Sequence, residues 1–156
     1  MKKILTILFA FIFCFSAISC SCKKDEPIML EDSQYVEGEG KIEYLSSFDL
    51  IKEKIDSKSN FAMFMYDVFC DGCHKFIPVL EKYVKEKGIV MYAVTVGVVS
   101  DADSALKKKL GDTPSVTIFK DGEIYKNIHG LGEDQGKYFE TKEGFGEWFE
   151  TYVILK

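Results

Sequence analysis

The sequence predicts an α/β domain, a central mixed sheet with helices on both faces. Three observations carry that expectation. Apolar runs at 61–66 and 89–99 alternate with stretches whose apolar residues recur at helical spacing. An Asp121-Gly122 pair between two further apolar runs marks an antiparallel hairpin late in the chain. The chain is 156 residues long, 47% hydrophobic and 29% charged, which suits one ordinary domain plus a short appendage.

The elements follow in order. Residues 41–45 form a possible first strand. Ser46-x-x-Asp49 resembles a capping box, and Phe48, Ile51 and Ile55 follow at helical spacing. Residues 61–66 (FAMFMY) have strand length. A helix over 70–87 puts Phe76, Leu80, Tyr83 and Val84 on one face, with Pro78 expected to kink it and Gly88 to stop it. Residues 89–99 (IVMYAVTVGVV) read as one buried strand. Asp101 can cap a short helix that ends on Lys107, Lys108 and Lys109, favourable for the helix dipole, with Gly111 after it. Strands at 116–119 and 124–128 flank the Asp-Gly turn. Phe145, Trp148, Phe149 and Tyr152, at i, i+3, i+4 and i+7, make an amphipathic closing helix. The expected order is β-α-β-α-β-α-β-β-α.

The N-terminus reads as an address. Lys2 and Lys3 precede residues 4–19, which carry no charge, are too short to cross a bilayer comfortably, and end in small residues. Ala17-Ile18-Ser19-Cys20 resembles a bacterial lipobox, with cleavage before Cys20 and acylation of its thiol; Cys22 is a weaker candidate. An uncleaved anchor and a plain cleaved leader are the alternatives, and each places the rest of the chain outside the cytoplasm, where disulfides persist. The expected division is a leader over 1–19, a lipidated tether over 20–40 and a domain over 41–156. The tether expectation rests on the acidic, aperiodic stretch that carries Pro27, Gly38 and Gly40.

Charge narrows the partners. Twenty lysines and no arginine face 25 acids, a net charge of −5, which argues against nucleic acid. Nor would so acidic a surface be drawn to anionic headgroups, so the lipid itself would hold it at the bilayer. A monomer is expected.

Five cysteines, at 14, 20, 22, 70 and 73, are too few and too clustered for a disulfide framework. Phe69-Cys70-Asp71-Gly72-Cys73-His74 follows a strand and opens a helix. Two cysteines so spaced can close into a disulfide, the first exposed where helix N–H groups favour a thiolate, the second shielded one turn in. That arrangement supports thiol–disulfide exchange. Three other readings stand beside it. Cys-x-x-Cys-His is also the c-type haem attachment motif, with His74 on iron, though such a motif needs no preceding buried strand. Zinc on Cys70, Cys73, His74 and His129 would be poorly supplied with ligands. A structural disulfide or two idle thiols complete the alternatives.

These residues resemble the thioredoxin superfamily. Pro78 follows the cysteine pair by five residues, as does the proline that kinks the family's active-site helix. Thr113-Pro114 followed by Ser115-Val116-Thr117-Ile118-Phe119-Lys120-Asp121-Gly122 is similar to the family's cis-proline, strand and hairpin. The resemblance covers residues 41–156 and implies a thioredoxin-like fold. It also implies Cys70 as nucleophile, Cys73 as resolving thiol, and Phe69, Thr113 and Pro114 as the substrate-binding platform. No cofactor or metal is implied.

The chain departs from the family pattern in three places. Phe69 stands for the usual tryptophan, Asp71-Gly72 for Gly-Pro, and Phe64 for the buried acid that accepts the resolving thiol's proton. Asp67 would point to the opposite face from Phe64 and reads as an exposed strand-end carboxylate. Asp71 and His74 are expected to tune the thiolate. The Asp71 charge disfavours it and so favours a reducing couple, whereas His74 favours it only when protonated. The reading favoured here is a reductant of disulfides in exported proteins, supplied by a membrane electron donor. Thr before the proline also resembles the family's isomerases, and a non-catalytic accessory lipoprotein stays open.

Overall fold

A computed structural model describes residues 25–132 and 134–156; the leader, Cys14, Cys20 and Cys22 lie outside them. The strands are β1 (Lys41–Tyr44), β2 (Phe61–Tyr66), β3 (Val90–Thr95), β4 (Ser115–Lys120) and β5 (Glu123–His129). The helices are α1 (Asp49–Asp56), α2 (Asp71–Lys87), α3 (Val96–Ala102), α4 (Ser104–Leu110) and α5 (Lys142–Tyr152). The sheet runs β1-β3-β2-β4-β5. Strand β3 pairs parallel with β1 and β2, and β4 pairs antiparallel with β2 and β5.

Strands β2 and β3 are unbroken apolar runs because both of their faces are covered. Ala62, Phe64, Met91, Ala93, Val116 and Ile118 meet Phe76 and Leu80 of α2 and Phe145 and Phe149 of α5. Phe61, Met63, Met65, Tyr92 and Val94 face the other way, toward Ile51 of α1, Val99 of α3 and Leu110 of α4. The β4–β5 turn has Asp121 at φ 53° and Gly122 at φ 76°, two successive left-handed residues that match the strand twist. Gly88 ends α2 at φ 63°.

Local signals misled in three places. No capping box forms: α1 starts at Asp49 after Phe48, without a side-chain cap. The strand expected over 89–99 stops at Thr95, whose hydroxyl accepts the Val98 N–H and starts α3. A continuous apolar run does not distinguish a strand from a short buried helix. Asp103, rather than Asp101, caps α4 by accepting the N–H groups of Ala105 and Leu106 at 3.0 and 2.9 Å.

The stretch expected as a tether is part of the fold from residue 25 onward. Ile28 pairs with Val153, and Tyr35 with Ile89. Gln34, 0% exposed, donates to the carbonyls of Ala62 and Val90 at 2.8 and 2.9 Å and accepts the Ala62 N–H at 2.8 Å. Glu31 pairs with Lys54 and accepts the Tyr92 hydroxyl at 3.1 Å. The segment lacks a period because isolated anchors hold it, one side chain at a time.

Candidate active site

The site is built where β2 ends and α2 begins. Asp67 folds the intervening turn: its carboxylate accepts the Phe69 N–H at 2.9 Å and its carbonyl accepts the Cys70 N–H at 3.2 Å. Cys70 then caps α2 with its own side chain. Its sulfur accepts the Cys73 N–H at 3.1 Å, so a donor otherwise without a helical partner points at the sulfur. The Cys70 thiol also reaches the Thr113 carbonyl at 3.5 Å. Cys70 is half-buried, whereas Cys73, one turn in, is 0% exposed. Neither is in a disulfide. Burial pushes the Cys73 thiol up to about 12, with the neighbouring Cys70 sulfur adding to the rise.

The Thr113–Pro114 peptide bond is cis. Pro114 lies against the cysteine turn, so closely that a Cβ on Gly72 would stand 3.1 Å from its Cδ. On its other side a Cβ on Gly130 would stand 3.0 Å from the same ring, and the Gly130 N–H donates to the Pro114 carbonyl at 2.8 Å. Glycine at 72 and 130 lets two backbones close on the proline. A groove opens beside Cys70, walled by Lys75, Asp112, Pro114, Leu131 and Phe139.

No protein-family model matches the chain, and no curated protein matches it. Solved structures do. A mutant thioredoxin from Halobacterium salinarum, 20% identical, superposes with a TM-score of 0.51 over 78% of this chain and 98% of that one. Thioredoxin from Malassezia sympodialis, 18% identical, gives 0.53 over 77% and 97%. Oxidised thioredoxin from Plasmodium falciparum, 16% identical, gives 0.53 over 72% and 99%. The chain has the thioredoxin fold.

Within this thioredoxin fold, Cys70, Cys73, Thr113 and Pro114 come together although Cys70 and Thr113 stand 43 positions apart in the chain. Asp71 is exposed in the first turn of α2, and Phe69 is 91% exposed beside Cys70. His74 is exposed on α2. His129 stands apart on β5: its backbone N–H donates to Gln135, and its Nδ1 is buried without a partner across the ladder from Ser115, whose Oγ is likewise unpartnered. Among the described residues no three His, Cys, Asp or Glu side chains gather as metal ligands. Buried Cys73 also fits poorly with a thioether to haem, which needs both sulfurs open to the ring.

Phe64 packs edge-on against Phe76, ring centres 5.6 Å apart, so position 64 is part of the aromatic core and supplies no carboxylate. Asp67, half-buried, is spent on its own turn. Sequence reasoning missed Gly72, Gly130, Leu131 and Phe139. The last two sit on an aperiodic stretch between β5 and α5, and only the Gly130-Leu131-Gly132 spacing hinted at a close approach there.

Proposed function

We propose that this chain is a thiol–disulfide oxidoreductase. The observation that carries the proposal is the asymmetry of the pair: Cys70 is accessible, N-caps α2 and adjoins Pro114, while Cys73 is sealed one turn below. The Cys70 thiolate attacks a substrate disulfide, one S–S bond breaks as another forms, and the first substrate sulfur departs as a thiolate. Cys73 then gives up its proton and attacks Cys70, freeing the second substrate thiol and leaving a Cys70–Cys73 disulfide. The substrate gains two electrons and the pair loses two. With no acid at position 64, the departing substrate thiolate is the acceptor closest to the chemistry for the Cys73 proton.

The finer reading is a reductant of disulfides in exported proteins, held at the membrane by acylated Cys20 and resupplied by a membrane dithiol donor. The leader and Cys20 support the location, and the Asp71 carboxylate next to Cys70 supports the direction. Phe69, Thr113 and Pro114 receive the substrate strand, and the chain acts as a monomer without a cofactor.

Reduction of insulin disulfides tests the chemistry: the full chain should catalyse it and Cys70→Ser should not. A folded wild-type chain without activity would leave an accessory binding module. Labelling by palmitate in a bacterial host, lost in Cys20→Ala, tests the anchor; label retained in that variant would remove it.

A further inference from the structure

Taking the exchange reaction above as given, we infer that the Cys70 groove selects its partner by charge. Its occupant is an extended segment of an exported protein in which a basic residue and an apolar residue flank the disulfide cysteine.

The apolar half of the argument is the stretch between β5 and α5. Phe139 is 8% exposed and fixed edge-on to Phe76 of α2, ring centres 4.7 Å apart, so this wall is anchored to the helix that carries the cysteines. From the same stretch Leu131, 73% exposed, lines the groove together with Pro114. An exposed leucine on an anchored wall beside a reactive sulfur is a place for an apolar side chain.

The charged half lies on the same rim. Asp112, next to Thr113, and Glu140, next to Phe139, both line the groove and both are exposed. Lys75 is the one cation among the lining residues, so the groove carries two acids against one base. Lys137, in the same stretch as Phe139 and Glu140, lies over the Tyr138 ring, 5.0 Å from its centre. Among the described residues neither Asp112 nor Glu140 takes part in an ion pair, although acids elsewhere on the surface do. Two unneutralised carboxylates on its rim give the groove a negative field, which a cationic side chain arriving with the substrate complements as it docks. An acidic substrate is repelled by it.

The test uses the reduced full chain in non-ionic detergent and three peptides of equal length. Each holds its single cysteine as a mixed disulfide with 2-thiopyridine, flanked by leucine and by Lys, Gln or Glu. Attack by Cys70 forms the peptide–Cys70 disulfide and releases pyridine-2-thione, whose absorbance gives the rate. Each rate is divided by that of dithiothreitol with the same peptide, which removes the peptide's own reactivity. The Lys peptide should exceed the Glu peptide by roughly tenfold at low salt, and the ratio should shrink toward one at high salt. In the Asp112→Asn, Glu140→Gln double variant the low-salt ratio should fall by about threefold or more. Equal rates for the three peptides, or a ratio insensitive to salt and to the double variant, would overturn the charge selection and leave the exchange reading intact. No reaction even with the Gln peptide would overturn the exchange reading, and this inference with it.

Discussion

The Cys73 amide donates to the Cys70 sulfur across 3.1 Å, while the Cys73 side chain itself is shut away from solvent. One residue therefore holds its partner's sulfur at the surface and conceals its own. Iodoacetamide should label reduced Cys70 in the folded chain and reach Cys73 only on unfolding. With its thiol pushed up to about 12, Cys73 has a thiolate fraction of about 10⁻⁴ at pH 8. Mass spectrometry of digested protein reads both sites, and equal labelling under native conditions would contradict the asymmetry. Cys70→Ser should lower insulin reduction by about three orders of magnitude. Cys73→Ala should instead accumulate a mixed disulfide on Cys70.

Asp71 is exposed in the first turn of α2, directly after Cys70. Under the proposed reductant reading, its negative charge is what favours the disulfide state. Asp71→Ser should make the couple more oxidising by tens of millivolts, given ~30 mV per 1.4 kcal/mol for two electrons. Equilibration with glutathione buffers measures it. A potential that stayed fixed or became more negative would remove the argument for a reductant.

What the sequence discloses depends on how each part is held. Strands β2 and β3, helix α2 and the hairpin are legible because core burial writes a period, or an unbroken apolar run, into the chain. The cysteine pair and Thr113-Pro114 are legible as motifs, although only the fold makes them neighbours. Helix α3 is not legible, since Val96, Val98 and Val99 carry the composition of a strand while the Thr95 hydroxyl decides otherwise. The groove wall is hidden for a related reason: Phe139 is anchored by one ring contact, which leaves no repeating pattern.

Gln34 is the sharpest case of a hidden anchor and yields its own prediction. It satisfies two buried carbonyls and one buried N–H of β2 and β3. Gln34→Ala would strand those groups away from water and should cost about 2–4 kcal/mol in urea unfolding. A loss under about 0.5 kcal/mol would mean that residues 25–40 hang from the domain as composition suggests.

Burial of Cys73 also sets a pH dependence of stability. In the folded chain its thiol binds a proton more tightly than in the unfolded chain, because the thiolate is penalised by desolvation. The contribution is full below the ordinary thiol range, about 8.5, and fades as pH rises toward about 12. Reduced wild type should therefore lose about 1–2 kcal/mol more than reduced Cys73→Ala between pH 8 and pH 10. The oxidised chain has no such thiol and should be spared the same loss. Urea unfolding at the two pH values, with dithiothreitol present or absent, separates the three cases. If reduced wild type and Cys73→Ala lost stability in parallel, the Cys73 sulfur would be in contact with water, and the division of labour between the two cysteines would lose its physical basis.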